Sequence, residues 1–125
     1  MQDPRKLDVT SEARAVALAV YRFTSAFPPE ERFGMTQQLR RAAVSIGSNI
    51  WEGCGRHSTR ELVQYLQQAY GSANEVAFQV SLAGDLNFGD PEERIALESV
   101  VDRLQRMLNR LIGSKRGVGE RTSKA

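Results

Sequence analysis

Hydrophobic residues recur at intervals of three and four along most of the chain, the spacing that places them on one face of an α-helix. Four such runs predict helices over about residues 9–27, 34–53, 59–86 and 91–113. No run alternates with the period of two that is typical of a β-strand. The pattern therefore predicts an all-α protein.

Residues that begin or end helices separate the four runs. A pair of prolines at residues 28–29 follows the first run, and the glycines of residues 53–55 follow the second. Ser58 and Glu61 have the spacing of a capping box, in which the serine hydroxyl accepts from the amide of the glutamate. Asp90 precedes a proline and two glutamates, which is typical of a helix start. Each predicted helix thus has at least one marked end.

The loops between the predicted helices are short, and short loops join antiparallel neighbours. The sequence therefore predicts an up-down antiparallel four-helix bundle over residues 1–113. Residues 114–125 are rich in glycine, serine and charge, and are predicted to form a basic disordered tail. The chain has the length of one domain.

Charge, cysteine content and hydropathy indicate the cellular compartment of the protein. The chain carries 17 Lys and Arg residues and 15 Asp and Glu residues, and residues 113–125 hold four cations against Glu120. Cys54 is the only cysteine, which excludes an internal disulfide and is typical of a reducing cytoplasm. No apolar run approaches the roughly 18 residues of a membrane span, and residues 1–10 lack a signal core. We expect a cytoplasmic protein without a membrane partner.

The second predicted helix has an apolar row outside its core stripe. Arg40, Val44, Gly47 and Trp51 follow one another at spacings of four, three and four, nearly opposite the core residues. One interpretation is that Trp51 covers a neighbouring loop and that Val44 is an isolated exposed residue. The favoured interpretation is a subunit interface at Val44, Gly47 and Trp51, because tryptophan beside arginine is typical of interface centres. It predicts a homo-oligomer.

A third row on the same helix is polar. It is interpreted either as a solvated face or as a hydrogen-bonded network with the third helix. Arg41 would then pair with Glu75, close to Gly71, whose lack of a side chain would allow close helix approach. The predicted network consists of Gln38, Ser45, Asn49, Glu52 and Glu75.

Candidate catalytic groups are few. Cys54 and His57 lie three residues apart, but each is the only residue of its type, so a metal site would need carboxylates or a second subunit. The glycines of residues 53–55 follow a helix and lack the lysine and third glycine of phosphate-binding loops. We therefore expect no enzyme activity, no catalytic residue, no metal and no cofactor.

Arginine-rich surfaces are the remaining candidate for function. Three arginines recur at three and four along the fourth helix and continue toward the C-terminal cations. They are interpreted either as a solvated face with acidic partners on the same helix or as a phosphate-binding surface. With the arginines of the second helix, the predicted binding residues are Arg40, Arg41, Arg56, Arg103, Arg106, Arg110, Lys115 and Arg116.

Several short motifs resemble the signature of small four-helix-bundle proteins encoded in intervening sequences of bacterial 23S ribosomal RNA genes. A second motif of that family is similar to residues 69–72 followed by Glu75. Three positions depart from the family pattern, namely Gly47, Trp51 and Ala77. The matching residues of the first motif are Phe27-Pro28, Gly34-Met35, Gln38-Leu39-Arg40-Arg41-Ala42, Ser45-Ile46, Asn49-Ile50 and Glu52-Gly53.

The resemblance implies a homopentameric ring. It also implies a likeness to the accessory protein of diversity-generating retroelements, a basic pentamer that binds a reverse transcriptase and nucleic acid. Our first hypothesis is therefore a non-enzymatic pentamer that binds RNA, DNA or a reverse transcriptase. The alternative is a structural or protein-interaction scaffold with no role in nucleic-acid binding.

Overall fold

Four long helices account for most of the molecule. The structure, a computed structural model, describes the backbone of residues 2–124 and the side chains of residues 2–117. Two short 3-10 turns, at Pro4–Lys6 and Pro29–Glu31, precede the first and second helices. The helices are α1 (Asp8–Thr24), α2 (Met35–Cys54), α3 (Thr59–Asp85) and α4 (Pro91–Lys124).

The helices are arranged as the predicted up-down antiparallel bundle. Each one packs on two neighbours, so that the order around the bundle is α1, α2, α3, α4 and back to α1. A hydrogen bond or ion pair between side chains marks each of the four contacts. They are Arg40 to Thr24 at 2.8 Å, Ser45 to Ser72 at 2.9 Å, Gln105 to Asn74 at 2.7 Å and Arg103 to Glu12 at 3.3 Å. Helices α2 and α4 therefore lie diagonally across the bundle.

Apolar side chains from all four helices fill the core, at the spacings that the sequence predicts. Tyr21 is an exception, since its place in the helical period of α1 predicts a core residue but its side chain is 45% exposed. The guanidinium of Arg40 lies 4.5 Å from the centre of its ring, on the outer side of α1. The largest fully buried side chains are Phe23, Val16, Val20, Leu39, Ile46, Ile50, Leu66, Val76, Val80, Leu97, Leu104 and Leu108.

The predicted helix starts are confirmed by their hydrogen bonds. The amide of Glu61 donates to the hydroxyl of Ser58 at 3.1 Å, and the amide of Glu93 donates to the carboxylate of Asp90 at 3.0 Å. The hydroxyl of Ser58 also donates to the carboxylate of Glu61 at 3.2 Å. Because each cap satisfies an amide that has no partner inside its helix, both boundaries are fixed locally.

Two boundaries differ from the prediction. Helix α1 ends at Thr24, although the predicted last residue, Phe27, is still buried and packs edge-on against Phe23, with ring centres 5.1 Å apart. Helix α4 does not end near Gly113 but continues to Lys124. A single glycine costs a helix only about 1 kcal/mol, which helical neighbours can offset. A separate disordered tail over residues 114–125 remains a prediction, and Ala125 lies outside the described residues.

Candidate functional site

An apolar surface covers the outer side of α1 and α2. Five large apolar side chains are exposed there, three of them from α1 and the loop that leads into α2. We call these five residues the α1/α2 face. They are Leu18 (54% exposed), Tyr21 (45%), Phe33 (78%), Val44 (47%) and Trp51 (47%).

Two connected cavities run along this face. One has a volume of about 720 Å³ and extends from Tyr21 and Phe33 to Val44. The other has a volume of about 320 Å³ and extends from Val44 to Trp51. Val44 and Ser48 line both cavities, so the face is a continuous open groove between the two helices.

The residues predicted to form a subunit interface lie in this groove. Val44, Gly47 and Trp51 line the smaller of the two cavities. A Cβ added to Gly47 would lie 3.9 Å from the Cβ of Ala13 in α1, which is an ordinary contact. Arg40 follows the same row but is held by α1, because its Nε donates to the hydroxyl of Thr24. The sequence prediction missed Leu18 and Phe33. Each is a single apolar residue outside the helical period, and the sequence gives no other sign of its place on this face.

The predicted polar network divides into separate groups. Asn49 donates to the carbonyl and the hydroxyl of Ser45, and Ser45 bonds to Ser72 of α3. Glu75 is exposed and accepts from Gln79 on its own helix at 3.1 Å. The predicted ion pair between Arg41 and Glu75 is not among the ion pairs of the described chain.

The other two members of the predicted network lie far apart on α2. Gln38 is exposed near its start, and Glu52 near its end accepts from Arg56 at 2.5 Å. The guanidinium of Arg56 also donates to the hydroxyl of Tyr65 at 2.6 Å and lies 3.8 Å from Glu61. Arg56 therefore connects the end of α2 to the start of α3.

Cys54 and His57 are in different surroundings. Cys54 is 1% exposed, whereas His57 is exposed in the loop before α3. Burial raises the pKa of the Cys54 thiol, and the positive charge of nearby Lys115 opposes that effect. Among the side chains of residues 2–117 we find no group of three or more His, Cys, Asp or Glu residues that could hold a metal ion.

The arginines of α4 form an exposed stripe. Arg103 and Arg106 are 71% and 72% exposed, and they pair with Glu12 and Asp102 respectively. Arg110 follows one turn later beside Lys6 and Asp8. Counted along the sequence, residues 103–119 hold five cations, including Lys115 and Arg116, and no acidic residue.

The structure does not bring all the predicted binding residues together. The stripe of α4 lies diagonally across the bundle from Arg40 and Arg41 of α2. Arg56 lies in the loop after α2, where Glu52, Glu61 and Tyr65 surround its guanidinium. The candidate site therefore consists of two surfaces, an apolar one on α1 and α2 and a basic one on the part of α4 that follows Asp102.

Comparisons with known proteins identify a family and a fold. The model of a family described as 23S rRNA-intervening sequence protein matches residues 5–110. No curated protein matches the chain. Within the described chain, none of the helices is long and apolar enough to cross a membrane.

A solved structure supports the fold. It is the crystal structure of a protein with unknown function from the S23 ribosomal protein family of Bacteroides thetaiotaomicron, and it superposes with a TM-score of 0.75 at 22% sequence identity. The match covers 84% of this chain and 95% of that chain. At this identity the likeness shows a shared helical fold and does not transfer a function.

Proposed function

The chain belongs to the 23S rRNA-intervening sequence protein family, and on that premise we propose that it is a non-enzymatic homo-oligomer that binds nucleic acid. The subunit number that we propose is five, as the sequence resemblance implies. The ligand is RNA or DNA, or a nucleic-acid enzyme such as a reverse transcriptase. The exposed α1/α2 face is the observation that carries the proposal.

The apolar content of the α1/α2 face supports assembly. Burying a large apolar side chain contributes roughly 1.5–3 kcal/mol, and contiguous exposed patches of this kind mark interaction sites. Trp51 lies near one end of the groove and Phe33 near the other, and aromatic residues beside arginine dominate interface energies. Pairing with a copy of the chain removes the α1/α2 face from water, and we therefore expect it to lower the free energy of the protomers.

The basic part of α4, which follows Asp102, supports the binding of a polyanion. Arg103, Arg106 and Arg110 recur on its outer surface with no acidic residue after Asp102 until Glu120. Guanidinium groups pair bidentately with phosphate. Since an oligomer repeats the stripe in every subunit, several phosphates would be contacted at once, and affinity should fall steeply as salt rises.

Two measurements test the proposal. Light scattering of the full chain should give a mass several times that of the 13.9 kDa protomer. Trp51→Glu should reduce it to one protomer, whereas Gln68→Glu on the exposed side of α3 should not. A stable wild-type monomer at micromolar concentration would contradict the assembly.

The binding of nucleic acid is tested separately by gel shifts at increasing salt. Replacing Arg103, Arg106 and Arg110 by glutamine should weaken binding and lower the slope of log K against log salt. The matched control replaces three arginines elsewhere, Arg5, Arg22 and Arg60. Equal losses in the two triple variants would show that the α4 stripe has no special role.

A scaffold without a nucleic-acid ligand is the second candidate. The observation that favours it is that four predicted binding arginines have partners within the protomer. These arginines are Arg40, Arg56, Arg103 and Arg106. This alternative would be favoured if the wild-type protein has a mass several times that of the protomer but binds no RNA or DNA even at low salt.

A further inference from the structure

Charged residues are unevenly distributed along this chain. The segment 61–102, which contains nearly all of α3 and about the first third of α4, holds eight acidic residues and a single cation, Arg94. That cation is paired with Glu98 at 3.0 Å. Cations outnumber acidic residues both before and after the segment. Because α3 and α4 are neighbours, the acidic segment forms one side of the bundle.

This acidic side carries a second group of exposed apolar residues, which we call the α3/α4 face. It consists of Phe78 (67% exposed), Leu86 (47%) and Ile95 (61%). Residues three, four or seven positions apart share a helix face, so carboxylates flank both Phe78 and Ile95. These exposed carboxylates are Glu75, Asp85, Glu92, Glu98 and Asp102. Glu98 and Asp102 are paired within α4, with Arg94 and Arg106, whereas the described chain has no ion pair at the other three.

The α1/α2 face has the opposite charge. Its two cavities are lined by four arginines and by no acidic residue. The guanidinium of Arg32 lies 5.2 Å from the ring centre of Phe33, and Arg41 is exposed beside Val44. The remaining two are Arg14 and Arg40. The bundle thus has an apolar face with a basic rim and, across the molecule, an apolar face with an acidic rim.

We infer that these two faces are the two halves of one head-to-tail subunit interface, in which the α1/α2 face of each protomer docks on the α3/α4 face of the next. The inference rests on the proposed homo-oligomer and adds the second face. The two faces lie on opposite sides of the bundle, because α1 and α2 are neighbours on one side and α3 and α4 on the other. Head-to-tail contacts generate a closed ring when the rotation between successive subunits closes, and an open filament when it does not; the proposed pentamer requires the closed form.

Charge distinguishes this arrangement from a symmetric one. If the α1/α2 face paired with itself, the four arginines of one protomer would meet those of its partner, which is unfavourable. Against the α3/α4 face, the same arginines meet carboxylates while the apolar residues pack together. Opposite potentials also fix the orientation in which the subunits meet.

Two interface variants and their mixture test the inference. Trp51→Glu disrupts only the α1/α2 face, and the double variant Phe78→Glu, Ile95→Glu disrupts only the α3/α4 face. Each should be monomeric alone by light scattering. An equimolar mixture should form a heterodimer of twice the 13.9 kDa protomer mass, because one intact face remains on each partner. It should grow no further, since the two disrupted faces would place glutamates against each other.

The possible results separate this inference from the proposed function. The control Gln64→Glu, Gln68→Glu adds two carboxylates elsewhere on α3 and should keep the wild-type mass, and circular dichroism confirms folding of every variant. If the wild type assembles but the Phe78, Ile95 variant keeps its mass, the inference is wrong and the proposed oligomer stands. Two monomeric variants that do not complement each other also overturn it. A monomeric wild type removes both.

Discussion

One glycine in α2 and one in the neighbouring helix α3 differ in how closely they approach other atoms. A Cβ added to Gly53 of α2 would lie 2.8 Å from the Cβ of Tyr65 in α3, whereas one added to Gly71 of α3 would have no atom within 4 Å. The idea that Gly71 allows close helix approach is therefore wrong. That role belongs to Gly53, where α2 ends against the start of α3.

Replacing these two glycines by alanine, one at a time, should change stability in opposite directions. Gly53→Ala forces the helices apart and should lower the free energy of unfolding by about 1–3 kcal/mol. Gly71→Ala removes backbone freedom from the unfolded chain without a clash and should raise it by roughly 0.5–1 kcal/mol. Urea unfolding followed by circular dichroism measures both. A stabilised Gly53→Ala protein would show that the contact between α2 and α3 is looser than the structure indicates.

The thiol of Cys54 should be unreactive in the folded protein. It is 1% exposed, and burial raises its pKa, so little thiolate is present at neutral pH. Labelling by a disulfide reagent at pH 8 should be slower than in urea by more than about tenfold. Above the ordinary thiol pKa of 9.0 the unfolded chain loses a proton that the folded protein retains, so stability should fall as pH rises. Fast labelling of the native protein would contradict its burial.

At the scale of the elements, the N-terminal cap of α4 allows a prediction of how much Asp90 contributes to stability. Asp90→Ala removes the carboxylate that accepts from the amide of Glu93 and should cost about 1 kcal/mol. Asp90→Asn keeps an accepting oxygen and should lose less. Both are compared with the wild type by thermal unfolding. An unchanged midpoint for Asp90→Ala would mean that packing alone fixes the start of this helix.

Element boundaries could be predicted where short-range chemistry sets them, and not elsewhere. Ser58 and Asp90 cap their helices through atoms three residues away, so the sequence contains the whole interaction. The end of α4 has no such signal. Gly113 only weakens a helix, and the residues after it can continue the same backbone. Arg41 and Glu75 illustrate a further limit, because the choice of partner across two helices depends on rotation and tilt that spacing alone does not give.

At the scale of the whole molecule, one half of the proposed interface was predictable and the other was not. Val44 and Trp51 stand out because α2 is apolar on two sides and only one can face its own core. Phe78 and Ile95 do not, since each is a single apolar residue on an otherwise polar surface of its helix. Only the folded bundle places both on one acidic side, and the proposed interface includes them for that reason.

Assembly should also be visible through Trp51, the only tryptophan of the chain. In the protomer its side chain is 47% exposed, and in the proposed oligomer it is covered by a neighbouring subunit. Dilution should therefore shift its fluorescence to longer wavelength and increase quenching by acrylamide, with the same midpoint as the loss of mass. High salt should move that midpoint to higher protein concentration, since the arginine and carboxylate rims attract each other less when screened. A fluorescence spectrum that stays constant while the mass falls would mean that the subunits separate at some other surface.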